Sequence, residues 1–232
     1  LVQYFSEHSG DIAKGEDEQV TFLRAKSYLR GRATEVHKEA QKKKNKKIYS
    51  RAADLYALYI KAFLLKPSSE KEKRELSEVR VYRSDALLAA GREADAIPEL
   101  DRTLREEGDL KHRKEAGTTL LNLLIKRIDT SKDKANSEYE DRLLSAADVF
   151  ESVFPNDKLV AELRYKRARL AASKSGPDGL SKDARRALSE LIEKYPSRSE
   201  AVEAAHDLVS DALKRKDADE AKELAQQYLK NK

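Results

Sequence analysis

Residues that break helices recur at a regular spacing, and this spacing constrains the fold more than any other feature of the sequence. The breaks fall at Pro67, Gly108, Pro155 and Pro196, which lie 41, 47 and 41 residues apart, and a further 36 residues follow. Each interval has room for two helices of ordinary length and two short turns. The spacing therefore predicts a repeated pair of helices.

Composition favours helices throughout the chain. Ala, Leu, Glu, Lys and Arg dominate, while glycine (8) and proline (5) are scarce and cysteine is absent. The abundant residues are strong helix formers, and no sustained alternation of β-branched residues indicates a strand. We expect an all-α fold without disulfides or cysteine-based metal sites. No apolar run is long enough to cross a bilayer.

The second helices of the intervals share an apolar pattern, in which a small residue precedes larger residues by four and seven positions. Ala184, Leu188 and Leu191 show this pattern, and related runs begin at Ala52, Ala96 and Ala146. A small residue at the first position allows two helices to approach closely. The predicted helical hairpins cover residues 16–66, 70–107, 111–154, 158–195 and 199–230.

Residues 1–15 precede the first predicted hairpin. We interpret this segment, which begins Leu1-Val2-Gln3-Tyr4-Phe5, as the remnant of a preceding helix or a linker. Since the chain begins without methionine, we expect it to be a piece of a longer protein.

Two segments resemble the tetratricopeptide repeat (TPR). The run Gly91-Arg92-Glu93-Ala94-Asp95-Ala96-Ile97, followed by Leu100, is similar to the turn and second helix of that family. Asp217-Ala218-Asp219-Glu220-Ala221 resembles the same turn in the last hairpin. The chain departs from the family in having no tryptophan, a longer period and Pro98 within a predicted helix. The resemblance implies a right-handed α-solenoid of about five TPR-like hairpins.

Two loops resemble those of bacterial envelope TPR scaffold proteins. They are Phe154-Pro155-Asn156-Asp157 and Tyr195-Pro196-Ser197-Arg198. This resemblance implies a non-catalytic scaffold that binds a protein or peptide partner within a periplasmic or outer-membrane-associated complex. Two alternatives remain open: a cytoplasmic TPR adaptor with an acidic or nucleic-acid client, and a non-catalytic repeat domain of a larger enzyme.

No motif in the sequence indicates catalysis. The four histidines, His8, His37, His112 and His206, lack a second histidine at the helical spacing of a zinc site. There is no Gly-x-Ser-x-Gly nucleophile turn, phosphate-binding glycine loop or dinucleotide fingerprint. We expect no enzyme activity, no metal and no cofactor.

A groove formed by the first helices of the hairpins is the predicted binding surface. The family comparison implies that Glu78, Val81, Tyr82, Asp85 and Leu88 lie on or near it, and that His206 replaces a groove residue. Arginines recur at i, i+3 spacing, which places each pair on one helix face, and arginine and tyrosine are enriched at binding hot spots. The candidates further include Arg83, Arg164 and Arg167. In the structural alternative, Glu78 pairs with Arg74 and the tyrosines pack between hairpins.

One basic patch accounts for the positive charge of the chain. The segment 38–51 carries seven positive residues and one negative residue, so the rest of the chain, whose overall net charge is +5, is nearly neutral. Three interpretations are open: a solvated turn, a site for an acidic protein, or a site for a polyanion. Because Tyr49 is the only nearby aromatic residue, we do not expect nucleic-acid binding. The patch consists of Lys42, Lys43, Lys44, Lys46 and Lys47.

Overall fold

The computed structural model describes residues 16–130, 137–173 and 179–230, and these residues form helices without any strand. The all-α expectation is confirmed for this part of the chain. The predicted remnant at residues 1–15 lies outside it. The described helices are α1 (Glu16–Lys43), α2 (Lys46–Phe63), α3 (Glu70–Ala90), α4 (Glu93–Arg105), α5 (Leu110–Thr130), α6 (Ser137–Val153), α7 (Leu159–Ser173), α8 (Lys182–Lys194), α9 (Ser199–Lys214) and α10 (Ala218–Lys230).

Helices that follow each other in sequence pack against each other. The chain divides into two compact units, Leu1–Ile125 and Lys126–Lys232, with the division inside α5. In the first unit, α1 packs on α2, α2 on α3, and α3 on α4. In the second unit, each helix from α6 to α10 packs on the next, and α9 also contacts α7. This sequential packing within each unit is compatible with a helical repeat.

Polar side chains fix where several helices begin. Asn45 caps α2, and its side chain accepts hydrogen bonds from the N–H groups of Lys47 and Ile48. Ser69 caps α3 in the same way, and Ser181 caps α8. These side chains satisfy N–H groups that have no partner within the helix. Ser69 follows the predicted break at Pro67 by two residues, whereas Asn45 and Ser181 lie in turns within the predicted hairpins.

Three of the turns that join successive helices have the same hydrogen-bond pattern. Each contains one residue in the left-handed conformation: Lys44 (φ 48°), Gly91 (φ 82°) or Lys216 (φ 61°). The N–H of the next residue donates to the carbonyl oxygen five positions earlier, over 3.3, 2.8 and 2.9 Å respectively. This pattern is a common way to end a helix. Two of the turns belong to the TPR-like segments, and the third is the centre of the lysine patch.

The two loops with envelope-type sequences also fold alike. The Asp157 N–H donates to the Phe154 carbonyl over 3.0 Å, and the Arg198 N–H donates to the Tyr195 carbonyl over the same distance. In each loop the aromatic residue ends the preceding helix, because its N–H still donates to a carbonyl four positions earlier. The two positions are 41 residues apart. The second unit therefore repeats a turn at the spacing of the sequence breaks.

The proline within α4 does not interrupt the helix. Pro98 lies on the solvent-exposed side of α4. Proline leaves one helical carbonyl without its usual donor, and on this exposed side water can take the place of that donor. Thr103 lies seven residues after Ala96, where the second-helix pattern has an apolar residue. It is 2% exposed, and its hydroxyl donates to the Glu99 carbonyl oxygen over 2.8 Å. Both departures from the expected pattern thus fit the helix.

Each unit buries aromatic and aliphatic side chains between its consecutive helices. In the first unit, Tyr56 and Tyr59 of α2 are almost fully buried against α1 and α3. Leu87 belongs to a neighbouring cluster that joins α1, α2, α3 and α4. In the second unit, Leu188 and Leu191 of α8 pack with residues of α7 and α9. Burial of one such large apolar side chain stabilises the fold by about 1.5–3 kcal/mol.

We expect Leu87→Ala to lower the free energy of unfolding by about 2–5 kcal/mol, because it leaves a cavity in a fully buried site. Leu65→Ala is the matched control. Since Leu65 is 56% exposed, its replacement should change stability by less than about 0.5 kcal/mol. Urea unfolding followed by circular dichroism measures both values. Equal effects of the two variants would contradict the packing described here.

Candidate partner-binding cleft

An open cleft lies in the first unit between three of the helices that lead their predicted hairpins. Its volume is about 610 Å³. The N-terminal half of α1 and that of α3 form its walls, the start of α5 closes one end, and Tyr59 of α2 lies at its base. The wall residues used below are Leu23, Lys26, Arg30, Arg74, Glu78 and His112.

A single carboxylate at the base of the cleft joins three helices. Glu75 of α3 accepts hydrogen bonds from Lys26 (2.9 Å) and Arg30 (2.7 Å) of α1, and from the Tyr59 hydroxyl of α2. Burial opposes ionisation of Glu75, but the hydrogen bonds from Tyr59 and Lys26 outweigh it and hold its pKa below the usual range. Glu75 is therefore charged at neutral pH, and it connects α3 to both α1 and α2 through these contacts.

Glu78 extends this network along α3. The Arg30 guanidinium lies 2.5 Å from Glu78, and the Tyr82 hydroxyl donates to the same carboxylate over 3.0 Å. Glu78 thus pairs with α1, whereas the sequence had suggested Arg74 as its structural partner. Arg30 bridges two carboxylates one turn apart, so its planar guanidinium is fixed in place.

Exposed apolar and cationic side chains lie on the cleft wall and on the adjoining face of α3. Leu23 is 56% exposed, and Tyr82 is 37% exposed. Lys71 and Arg74 are both exposed and form no ion pair with any described residue. Exposed apolar side chains beside unpaired cations give a partner both surface to cover and charge to neutralise.

Asp85 lies farther along α3, close to Glu115 of α5. Its side chain is exposed to solvent, although the surrounding protein partly desolvates its carboxylate. This partial burial, together with the negative charge of Glu115, raises the pKa of Asp85 to about 6. The two carboxylates have no cationic partner among the described residues. This end of the groove is therefore negative.

Of the five α3 residues expected at the groove, Val81 and Leu88 pack inward. Val81 is 2% exposed, and Leu88 is half-buried against the apolar cluster that contains Leu87. Their role in this structure is packing. Glu78, Tyr82 and Asp85 are accessible, and all three lie on the face of α3 that continues from the cleft wall.

The recurrent arginines form ion pairs between helices. Arg83 pairs with Glu99 of α4. Arg164 donates to Glu151 of α6 over 2.9 Å, and its guanidinium lies 5.7 Å from the centre of the Tyr195 ring. Arg167 lies 2.5 Å from Asp148, also in α6. The equivalent arginines thus contact the following helix in the first unit and the preceding helix in the second. His206 is exposed on α9.

The lysine patch is a turn at the surface. All five of its lysines are exposed, and of these only Lys43 forms an ion pair, with Glu39 at 2.7 Å. Lys44 occupies the left-handed position that Gly91 takes in the next hairpin turn. The patch therefore combines a structural turn with four unpaired positive charges.

Sequence reasoning did not find the α1 side of the cleft or the two free cations of α3. Lys26 and Arg30 contact residues more than 40 positions away, and no local motif marks them. Lys71 and Arg74 could have been found, because they precede Glu78 by seven and four residues and so share its helix face.

Comparisons with known proteins give no family for this chain. No protein-family model matches the sequence, and a search of curated proteins finds no match. In the described parts of the chain, no cluster of three or more potential ligands could hold a metal ion. None of the described helices is long and apolar enough to span a membrane. The cleft and the repeated turns therefore provide the basis for a functional proposal.

We expect Asp85→Asn to raise the melting temperature at pH 7.5 and to have little effect at pH 4. The ordinary pKa of aspartate is about 3.9, so a value of about 6 in the folded state means that folding takes up protons between these two pH values. The stability contributed by Asp85 is therefore present at low pH and is lost as the pH rises through 6. Asparagine removes this charge penalty.

Thermal unfolding at the two pH values measures the difference. Asp101→Asn is the control. Asp101 pairs with Arg105 on α4, so its replacement removes a favourable contact and should not raise the melting temperature. A gain for Asp85→Asn that is equal at both pH values would contradict a raised pKa.

Proposed function

We propose that this protein is a non-catalytic, TPR-like helical-repeat scaffold that binds a protein or peptide segment in the cleft between α1, α3 and α5. The cleft itself carries this proposal. Its base is a closed network of ion pairs, while its walls offer unpaired Lys71 and Arg74 beside exposed Leu23. Open concave surfaces with a few polar groups are common sites of recognition.

The architecture that we propose is a right-handed α-solenoid of about five hairpins. The three matching turns at Lys44, Gly91 and Lys216 support repetition, as does the pair of loops at Phe154 and Tyr195. Stacked hairpins bury apolar faces that a single hairpin cannot bury alone. In such an array the first helices of the hairpins line the binding groove.

Binding rather than catalysis is the function that this cleft suits. Glu75, Glu78 and Tyr59 are potential acid–base groups, but each is engaged in an internal hydrogen bond. General acid–base catalysis requires a group that can reach the proton of a bound substrate. Groups that are fixed in ion pairs position the helices instead.

We propose a bacterial envelope complex as the setting, either in the periplasm or at the outer membrane. The two aromatic–proline loops support this setting, because their likeness to envelope scaffolds extends over both sequence phrases and both loops fold alike. A cytoplasmic adaptor is the alternative setting.

Site-specific photocrosslinking tests the cleft. A photoreactive phenylalanine analogue at position 23 lies on the cleft wall, whereas the same analogue at Tyr28 lies on a different face of α1, where the side chain is 73% exposed. In extracts of the source organism, we expect a discrete crosslinked protein from position 23 and none from position 28. Crosslinks at position 28 alone, or no crosslinks from position 23, would refute binding at the cleft.

Polyanion binding at the lysine patch is a second candidate, and the four unpaired lysines favour it. Changing all five lysines of the patch to glutamine should then abolish salt-sensitive binding of RNA or DNA. The control carries the same change at five dispersed exposed lysines, which are Lys61, Lys66, Lys194, Lys214 and Lys222. Fluorescence anisotropy over a salt series measures both. Equal binding by both variants and the parent protein would exclude this function for the patch.

A further inference from the structure

The exposed face of α3 has opposite charges at its two ends. Residues 71, 74, 78, 82 and 85 follow helical spacing, so they form one stripe along the groove. Lys71 and Arg74 at one end are exposed and form no ion pair with a described residue. Asp85 at the other end has only the like charge of Glu115 nearby. The stripe therefore runs from positive to negative.

The centre of the stripe adds little net charge. Arg30 neutralises Glu78 at 2.5 Å, and Lys26 together with Arg30 neutralises the adjacent Glu75. Asp109 also lines the positive end, but its carboxylate caps α5 by accepting the Lys111 and His112 N–H groups over 2.9 and 3.3 Å. The unneutralised charges thus lie at the ends, with Tyr82 between them.

Helix geometry gives the distance between the two ends. Arg74 and Asp85 are eleven residues apart, which corresponds to about 16 Å along α3 at about 1.5 Å per residue. An extended chain covers this distance in about five residues. The Arg30–Glu78 ion pair joins the two walls at 2.5 Å, so the cleft is narrow at this point. An extended segment is thinner than a helix about 10 Å across and therefore fits the cleft better.

We propose that the partner is an extended protein segment in which an acidic and a basic residue lie about five positions apart. The acidic side chain contacts Lys71 and Arg74, and the basic side chain contacts Asp85 and Glu115. Apolar residues between them cover Leu23 and Tyr82, which are both exposed on the groove. This inference rests on the proposed function, and it specifies the charge pattern of the segment that the cleft receives.

A peptide-display selection against the full chain tests the pattern. The probe is a library of random twelve-residue segments, which can place two charges at any spacing up to eleven. We expect the enriched segments to share one acidic and one basic residue four to six positions apart. Either order in the sequence satisfies the groove, because an extended segment can run in both directions.

Matched variants show whether these charges contact the stripe. Binding of the enriched peptides should weaken at least tenfold in Lys71→Glu/Arg74→Glu, since attraction becomes repulsion at the positive end. The control Lys61→Glu/Lys66→Glu makes the same change in net charge at exposed residues that do not line the cleft, and it should bind within twofold of the parent. Circular dichroism verifies that both variants are folded.

The outcomes separate this inference from the proposed function. Enriched peptides without a paired acid and base, or with a spacing of eleven, would overturn the extended charge pattern while leaving a peptide-binding cleft. Peptides that bind equally to the stripe variant and to the control variant would place binding elsewhere and overturn the pattern. A selection that enriches no peptide would overturn both proposals.

Discussion

Alanines at the points of contact determine how closely consecutive helices approach. In the first unit Ala33, Ala52, Ala86 and Ala96 are fully buried, one on each helix from α1 to α4. Larger side chains at such positions would force the helices apart, and overpacking of this kind typically costs about 1–3 kcal/mol. The width of the cleft depends on the same contacts, because α2 packs between α1 and α3 and thereby determines their separation.

The polar network at the base of the cleft adds directional contacts to this apolar packing. Apolar contacts bring α1 and α3 together without direction, whereas the ion pairs of Glu75 require Lys26, Arg30 and Tyr59 at defined positions. A buried carboxylate without these donors would be strongly unfavourable. The network therefore contributes to the relative position of the walls as well as to stability, and it connects the fold of the first unit to the proposed binding surface.

Local features of the sequence were sufficient to predict the all-α fold. Breakers and capping residues such as Asn45 and Ser69 act within one helical turn, so their effect can be read without a structure. The face of α3 that carries Glu78 was predictable for the same reason. Helical spacing places residues on a face but does not identify the neighbouring helix. Arg83 accordingly pairs with Glu99 of the next helix, while Arg164 pairs with Glu151 of the previous one. The contribution of α1 to the cleft depends on contacts between distant residues, and no local pattern encodes it.

The saturated carboxylate at the base has an evolutionary consequence. Glu75 already accepts from three donors on two neighbouring helices, so a ligand gains little by competing for it. In the proposed function, recognition is thereby confined to the rim, where Lys71, Arg74 and Leu23 are not required by the network. Mutations at these rim positions can alter which ligand is preferred at little cost to folding. Such a division allows duplicated copies of the protein to diverge in specificity while they keep the same scaffold.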